Sequence, residues 1–116
     1  MPVPLSATRA VIAGRDAERR ARASERAAAL RARLPEVVSR LRAYGAREIW
    51  LFGSLARGDL HEASDVDLAV DRLSPDVYFA ALAAASATLA CDVDLVVIDE
   101  ASPALREAIA RDGVPL

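Results

Sequence analysis

The sequence predicts an α/β fold of the α+β type, with helices packed on a small sheet and a helical extension at the N-terminus. Three apolar runs of strand length alternate with alanine-rich and polar segments. The pairs Ser74-Pro75 and Ser102-Pro103 indicate helix starts, because serine caps a helix and proline suits its first turn. With 116 residues, the chain has the length of one domain.

The N-terminal third predicts two consecutive helices. Residues 6–33 are rich in alanine and arginine, which are both good helix formers. Pro35 is compatible with the first turn of a new helix, which ends before Gly45. We therefore expect a helical extension over residues 1–34 and a globular domain over residues 35–116. The extension is either a solvated surface helix or a helix that packs on a partner chain.

Strands and helices alternate through the rest of the chain. The apolar runs predict strands over residues 47–52, 65–70 and 91–98, the last of them almost wholly apolar as in the interior of a sheet. The two Ser-Pro pairs open helices that run over residues 75–90 and 103–111. This order predicts three core strands covered by helices.

Charge is unevenly distributed along the chain. Residues 1–50 carry 11 arginines against 5 acids, a balance of +6, whereas residues 51–116 carry 4 arginines against 12 acids, a balance of −8. The chain has no lysine, which excludes a lysine nucleophile or a P-loop lysine. The acidic second half argues against direct nucleic-acid binding there and agrees with a site that recruits a metal ion.

Cysteine content and hydropathy bear on the cellular location of the protein. Cys91 is the only cysteine, so an internal disulfide is excluded and a reducing cytoplasm fits best. Together with the single, distant His61, it makes no metal site. No apolar run approaches the roughly 20 residues of a membrane helix, and the N-terminus has no signal-peptide pattern. We expect a cytoplasmic protein that does not bind membranes.

The most informative stretch begins where the first strand ends at Gly53-Ser54 and finishes on Asp65 and Asp67. A glycine after a strand lets a ligand approach the backbone, and Ser54 can cap a short helix whose free N–H groups suit a phosphate. Side chains alternate along a strand, so the two carboxylates lie on one face and repel each other. A cation between them would relieve this repulsion. The stretch therefore predicts nucleotidyl transfer with divalent metal ions.

The third strand contains a further candidate acid. Asp94 lies between Val93 and Leu95, and a charge in such an apolar strand costs free energy unless something compensates it. Asp92 projects to the same face and is the competing candidate for a third carboxylate.

The spacing of these residues resembles a known family signature. Gly53-Ser54, then ten residues, then Asp65-Val66-Asp67 resembles the signature of the DNA polymerase β-type nucleotidyltransferase superfamily. The fuller string Gly-Ser-x-Ala-Arg-Gly followed by Ser-Asp-x-Asp-Leu is similar to its minimal members, the MNT proteins. The resemblance covers residues 34–116. It implies a nucleotidyltransferase palm with a small mixed sheet, so that residues 35–116 form a minimal nucleotidyltransferase domain.

The resemblance assigns the acids. Asp65 and Asp67 would hold two Mg²⁺ ions, and Asp94 would be the third ligand and act on the incoming hydroxyl. Asp94 resembles the first acid of the family's Val-Asp-Leu-Val-Asp-Leu block, whereas Val97 stands where many members have a second acid. Spacing to the segment that follows favours Asp94 over Asp92.

The resemblance also implies a site for the triphosphate. Gly53 and Ser54 would bind the β- and γ-phosphates of ATP. Arg57 belongs to the matched string and could pair with a phosphate as a planar, permanently charged donor. The alternative is a surface salt bridge between Arg57 and either Asp59 or Glu62.

The size of the domain bears on the acceptor, and the resemblance implies the reaction. About 80 residues suffice for the palm and leave no second domain to hold an acceptor, which suggests that the acceptor arrives as another protein. Minimal members of the family are typically antitoxins paired with a HEPN-domain RNase toxin. The resemblance therefore implies transfer of AMP from ATP to a hydroxyl, that of a tyrosine, on such a toxin.

Two alternatives remain from the sequence. A binding-only antitoxin would cover the toxin's active site without catalysis, although the intact set of acids counts against it. A nucleotidyltransferase acting on a small molecule could use a dimer interface as its acceptor pocket. A homo-oligomer is therefore left open.

Overall fold

A computed structural model describes residues 5–61 and 63–116, with side chains from Gly14 onward. The chain alternates helices and strands as expected for an α/β protein. Its elements, in order, are α1 (Leu5–Ala43), β1 (Ile49–Phe52), α2 (Gly53–Arg57), β2 (Val66–Val70), α3 (Pro75–Leu89), β3 (Val93–Val97), a 3₁₀ turn (Ile98–Glu100), α4 (Pro103–Asp112) and β4 (Val114–Pro115).

The four strands form one mixed sheet in the order β3-β2-β1-β4. Strand β1 is antiparallel to both β2 and β4, whereas β2 and β3 are parallel. The register places Phe52 opposite Asp67 and Asp67 opposite Asp94. This sheet, with its helices, confirms the predicted mixed α/β fold and brings the ends of β1, β2 and β3 together.

The larger core lies between the sheet and helices α1 and α3. Alternate strand residues point to this face, as the two-residue period of a strand requires. Small side chains on α3 allow it to approach α1 closely, and Ala81 and Ala85 are fully buried. This core includes Val37, Leu41, Ile49, Leu51, Leu55, Val66, Leu68, Val70 and Leu95.

The opposite face of the sheet carries a smaller core under α4. Its buried members are Phe52, Ala69 and Ile109, with the half-buried Trp50 packed against them. Because Phe52 and Asp67 are register partners, the carboxylate lies on this face at the edge of the smaller core.

The predicted break before Pro35 is wrong, because α1 continues through it from Leu5 to Ala43. Proline removes one backbone donor and crowds the preceding turn, which costs about 3 kcal/mol in a helix interior. Burial on both sides of Pro35 offsets this cost, because Leu30 and Leu34 precede it in the core and Leu41 follows. The boundary between residues 34 and 35 thus falls inside a helix and stays a prediction.

The N-terminal part of α1 extends beyond the core. A helix of 39 residues is about 58 Å long, and the molecule measures 65 × 28 × 20 Å. Residues 14–22 are all exposed, whereas Leu30 and Leu34 are buried. In the part of the chain that the structure describes, no helix is both long and apolar enough to cross a membrane.

Strand β4 was not predicted from the sequence. Its two residues pair with Trp50 and Leu51, and the amide of Leu116 donates to the carbonyl of Ile49 at 2.8 Å. Gly113 allows this return, because a Cβ there would overlap the carbonyl oxygen of Ile109. A two-residue strand is too short to leave a periodic pattern.

Candidate active site

Two carboxylates lie side by side where β2 and β3 run parallel. Asp67 on β2 and Asp94 on β3 are register partners, so their side chains project to the same face of the sheet. Asp65 lies just before β2, two residues from Asp67, and is exposed. The structure therefore pairs Asp67 with Asp94, and it places Asp65 close enough for its charge to act on Asp67.

Asp67 has an unusual ionisation equilibrium. Burial, followed by the neighbouring charge and hydrogen bond of Asp94, raises the pKa of Asp67 to about 6. The charge of Asp65 adds to this increase, whereas Arg57 opposes it. Asp67 thus lies among acids that together disfavour its charged form.

The donor chemistry of this cluster fits a divalent metal ion. Within residues 14–61 and 63–116, no three histidine, cysteine, aspartate or glutamate side chains are already grouped as metal ligands. Carboxylate oxygens are nevertheless the ligands that Mg²⁺ prefers. A cation beside Asp67 and Asp94 would also remove the repulsion that raises the pKa of Asp67. The residues present therefore fit the metal that the sequence predicts.

The Gly53-Ser54 turn contacts the same cluster. Gly53 has φ +72°, in the left-handed region, and a Cβ at this position would overlap Oδ2 of Asp67. Glycine is therefore required both by the backbone and by the approach of Asp67. The turn therefore lies close to the carboxylate of Asp67.

Ser54 occupies a different place from the one predicted. The cap of α2 is Phe52, and Ser54 lies within the first turn of the helix. The predicted Ser54 cap is therefore wrong, because β1 passes directly into α2 at Gly53. The Ser54 carbonyl instead ends α2 by accepting the amides of Gly58 and Asp59, each at 3.0 Å.

Arg57 pairs with two carboxylates. It donates to Asp59 at 3.1 Å and to Asp112 on α4 at 3.3 Å. The first contact is the salt bridge that was the alternative to a phosphate contact. Asp112 also pairs with Arg111, and its side chain is only 11% exposed. The hydrogen bond from Arg111 is the main cause of the lowered pKa of Asp112. Burial acts in the opposite direction, and the hydrogen bond from Arg57 lowers the pKa further.

A cavity of about 300 Å³ opens beside the carboxylates. Asp67 and Asp94 form part of its wall, with Phe52, Tyr78 and Leu105 contributing apolar surface. Tyr78 donates its hydroxyl proton to the carbonyl of Leu95 at 2.5 Å, which fixes the ring. Burial raises the pKa of Tyr78, so this hydroxyl stays protonated.

Sequence reasoning missed three residues around the site: Tyr78, Leu105 and Asp112. Each lies on a helix far along the chain from the motif and reaches the site only through the packing of α3 or α4 on the sheet. Tyr78 was recognisable only as an aromatic residue in the first turns of a predicted helix. No local pattern distinguished the other two.

The remaining candidates lie apart from the acid pair. Asp92 precedes β3 and is exposed, and its backbone carbonyl accepts the amide of Val66 at 3.1 Å. Asp94, rather than Asp92, is the register partner of Asp67. Cys91 is half-buried, and burial raises the pKa of its thiol. His61 is exposed in the loop before Asp65.

Comparisons with known proteins agree with this geometry. Residues 37–116 match the family model described as Polymerase beta, Nucleotidyltransferase. A solved structure described as a minimal nucleotidyltransferase is 34% identical, with a TM-score of 0.69 over 78% of this chain and 95% of that chain. Comparison with curated proteins found no match.

Two further similar structures are toxin–antitoxin complexes. A chain of a toxin–antitoxin complex with AMP-PNP is 30% identical, with a TM-score of 0.63 over 70% of this chain and 69% of that chain. Another similar chain comes from a complex of tri-AMPylated Shewanella oneidensis HEPN toxin with MNT antitoxin. It is 25% identical, with a TM-score of 0.59 over 74% of this chain and 70% of that chain.

The mixed sheet, the Gly-Ser turn and the paired acids define a nucleotidyltransferase of the polymerase β type, and the chain belongs to that family. Within it, the chain is an MNT protein, a minimal nucleotidyltransferase. The resemblance read from the sequence is thereby confirmed at the level of the family.

Proposed function

We propose that this protein transfers AMP from ATP to a hydroxyl of a partner protein, and that the partner is a HEPN-type RNase toxin in the cytoplasm. The observation that carries the proposal is the pairing of Asp67 with Asp94 against the Gly53 turn. The similarity to a complex that contains an AMPylated HEPN toxin supports both the transferred group and the partner.

The three acids would bind two Mg²⁺ ions, with Asp65 just before β2, Asp67 on β2 and Asp94 on the neighbouring strand β3. Bound there, Mg²⁺ would neutralise the triphosphate and lower the pKa of the attacking hydroxyl. Asp94 is exposed, whereas Asp67 is half-buried, so Asp94 is the acid that an incoming acceptor can reach. We assign it the role of accepting the hydroxyl proton.

The transfer step balances without any further reactant. The acceptor oxygen forms a bond to the α-phosphorus of ATP while the bond from that phosphorus to the oxygen bridging the β-phosphate breaks. The proton of the hydroxyl passes to Asp94, and pyrophosphate leaves. The products are an AMP ester on the acceptor and free pyrophosphate.

The phosphates would lie along the turn into α2. The backbone of Gly53 lies close to the carboxylate of Asp67, so phosphates bound at this turn would lie next to the acids. Arg57 would then exchange its contacts with Asp59 and Asp112 for a phosphate oxygen. This exchange keeps the guanidinium paired before and after ATP binds.

The proposal is tested with ATP labelled at either the α- or the γ-phosphate, incubated with Mg²⁺ and a HEPN-type protein from a neighbouring reading frame. We expect the α-label on the partner and the γ-label in pyrophosphate. The double variant Asp65→Asn/Asp67→Asn should transfer no label. Asp99→Asn is the matched control, because it removes an exposed carboxylate beyond the far end of β3.

Other outcomes separate the alternatives. If no label is transferred and the double variant still neutralises the partner, the protein is a binding-only antitoxin. If label appears only on a small molecule and never on the partner, the acceptor assignment is wrong while nucleotidyl transfer stands.

A further inference from the structure

The part of helix α1 that precedes the residues matched to the family contacts loops of the candidate active site. The match to the family begins at residue 37, yet two arginines that precede it bond to backbone carbonyls near the motif. Arg26 donates through one nitrogen to the carbonyls of Ser64 and His61, at 2.9 and 3.1 Å. Arg31 donates to the carbonyl of Leu55 at 2.5 Å.

Arg26 holds the loop that ends at Asp65. The Ser64 carbonyl belongs to the peptide bond that leads into Asp65. The loop is closed on itself, because the Ser64 amide donates to the His61 carbonyl at 3.0 Å and the His61 amide donates to the Ser64 hydroxyl at 3.1 Å. Arg26 adds two charge-assisted bonds that attach this closed loop to α1.

Asp65 depends on that attachment more than Asp67 does. Strand β2 begins at Val66, whose amide donates to the carbonyl of Asp92, so Asp67 is fixed by the sheet. Asp65 lies one residue before the strand. The like charge of Asp67 repels it, and the bonds from Arg26 to the loop oppose its displacement.

Arg31 holds the other half of the site. Leu55 follows Ser54 in α2, a helix of only five residues with few hydrogen bonds of its own. Between Arg26 and Arg31 on α1, Leu30 is buried in the main core, with Leu34 buried one turn later. The two arginines are therefore attached to a rigid support that spans both loops.

We propose that Arg26 and Arg31 are positioning residues: α1 fixes the loop before Asp65 and the turn at Gly53-Ser54 in the geometry that binds metal and triphosphate. The effects on catalysis and on metal affinity rest on the function and metal site proposed above, whereas the effect on loop order does not. Arg26 acts on the metal ligands, and Arg31 acts on the phosphate turn.

The test compares Arg26→Ala, Arg26→Lys and Arg31→Ala with a matched control, Arg33→Ala. Arg33 lies on the same helix and also donates to a distant carbonyl, that of Thr88 on α3 at 3.3 Å. It touches neither loop. The Arg33→Ala control therefore measures how exchange and Mn²⁺ affinity change when α1 loses a hydrogen bond from an arginine to a backbone carbonyl away from the site.

The first readout is the metal-free protein. Hydrogen exchange at residues 63–66 should be faster in Arg26→Ala than in the wild type or in Arg33→Ala, and exchange at residues 55–58 should be faster in Arg31→Ala. Titration with Mn²⁺ alone should show about tenfold weaker binding for Arg26→Ala. Arg26→Lys should recover part of this loss, since its ammonium can still donate to both carbonyls.

The second readout is AMP transfer. We expect Arg26→Ala to require more Mg²⁺ for half-maximal rate, and Arg31→Ala to raise the KM for ATP at an unchanged Mg²⁺ requirement. The inference is overturned if Arg26→Ala matches Arg33→Ala in exchange and in Mn²⁺ affinity. If Arg26→Ala does not fold, Arg26→Lys decides: exchange at residues 63–66 faster than in the wild type and Mn²⁺ binding weaker than in the wild type support the positioning role, whereas exchange and affinity equal to those of Arg33→Ala contradict it.

The two proposals fail in different ways. A wild type that transfers no AMP while the arginine variants still lose loop order and Mn²⁺ affinity would reject the function and keep the positioning. A wild type that transfers AMP while the arginine variants are indistinguishable from Arg33→Ala would do the reverse.

Discussion

The substitution Asp67→Asn should stabilise the metal-free protein at neutral pH. The pKa of Asp67 is raised from 3.8 to about 6 in the fold, so the folded state favours the protonated form. Stability is therefore lost as pH rises from about 4 to about 6, and the full cost applies above that window. An amide has no charge to lose and can donate a hydrogen bond to Asp94.

The size of the effect follows from the shift. About two pKa units correspond to about 3 kcal/mol as an upper limit. Solvent screening at a half-buried carboxyl reduces this to about 1 kcal/mol. In a domain of this length, about 1 kcal/mol raises Tm by about 4 °C. The same substitution should abolish AMP transfer, because it removes a proposed metal ligand.

The assay is thermal unfolding with a chelator present, at several pH values between 4 and 8. We expect Asp67→Asn to exceed the wild type in Tm at pH 7.5 and the difference to shrink steadily as pH falls toward 4. Asp99→Asn is the control for removing one negative charge. Added Mg²⁺ should raise the Tm of the wild type more than that of Asp67→Asn.

Two results would refute this reasoning. One is a lower Tm for Asp67→Asn than for the wild type at pH 7.5 without metal. The other is a difference in Tm that does not change with pH, which would mean that charge at Asp67 is not the cause.

Three further substitutions test other parts of the site and fold. Gly53→Ala should lower Tm further than Gly58→Ala and should abolish AMP transfer. Both substitutions impose left-handed backbone strain of roughly 1–2 kcal/mol, but only the Cβ at position 53 would overlap the carboxylate of Asp67. Equal losses of Tm in the two variants would contradict this explanation. Asp71→Asn should destabilise by roughly 1–3 kcal/mol at pH 7, because the carboxylate accepts two backbone amides just before β1. Burial opposes ionisation of Asp71, but the two backbone amides stabilise the carboxylate and lower its pKa. The loss of stability in Asp71→Asn should therefore diminish in acid, where the wild-type carboxylate is protonated. Urea unfolding at pH 7 and pH 3 measures this loss. Asp112→Asn should lower the KM for ATP about threefold in initial-rate assays, because Arg57 loses a competing partner; a higher KM would mean that Asp112 orients Arg57 for phosphate.

The local parts of the fold and site were predictable from the sequence. Each of the predicted core strands exists, although each is shorter in the structure: 47–52 becomes Ile49–Phe52, 65–70 becomes Val66–Val70 and 91–98 becomes Val93–Val97. Apolar runs and Ser-Pro starts carry their information within a few residues. The Gly-Ser turn and the two acids that follow it are also local, so the sequence alone singled them out as a candidate site, whose chemistry stays a prediction.

The features that the sequence did not predict correctly depend on tertiary packing. Pro35 signals a helix start by itself, but burial of Leu30 and Leu41 on either side keeps α1 continuous. The pairing of Arg57 with Asp112 joins residues 55 apart in the chain, and only the packing of α4 next to α2 creates it. The contacts of Arg26 and Arg31 arise in the same way, because no sequence period links a surface arginine to a carbonyl across the fold.

We propose that Asp67 and Asp94 together catalyse AMP transfer to a partner protein, and intact-mass measurement of the partner tests this most directly. A HEPN-type partner is incubated with ATP, Mg²⁺ and the wild type, Asp94→Asn or Asp92→Asn. We predict that the partner gains the mass of one or more AMP groups with the wild type and with Asp92→Asn, and none with Asp94→Asn. An unmodified partner with the wild type, or full modification by Asp94→Asn, would contradict the claim.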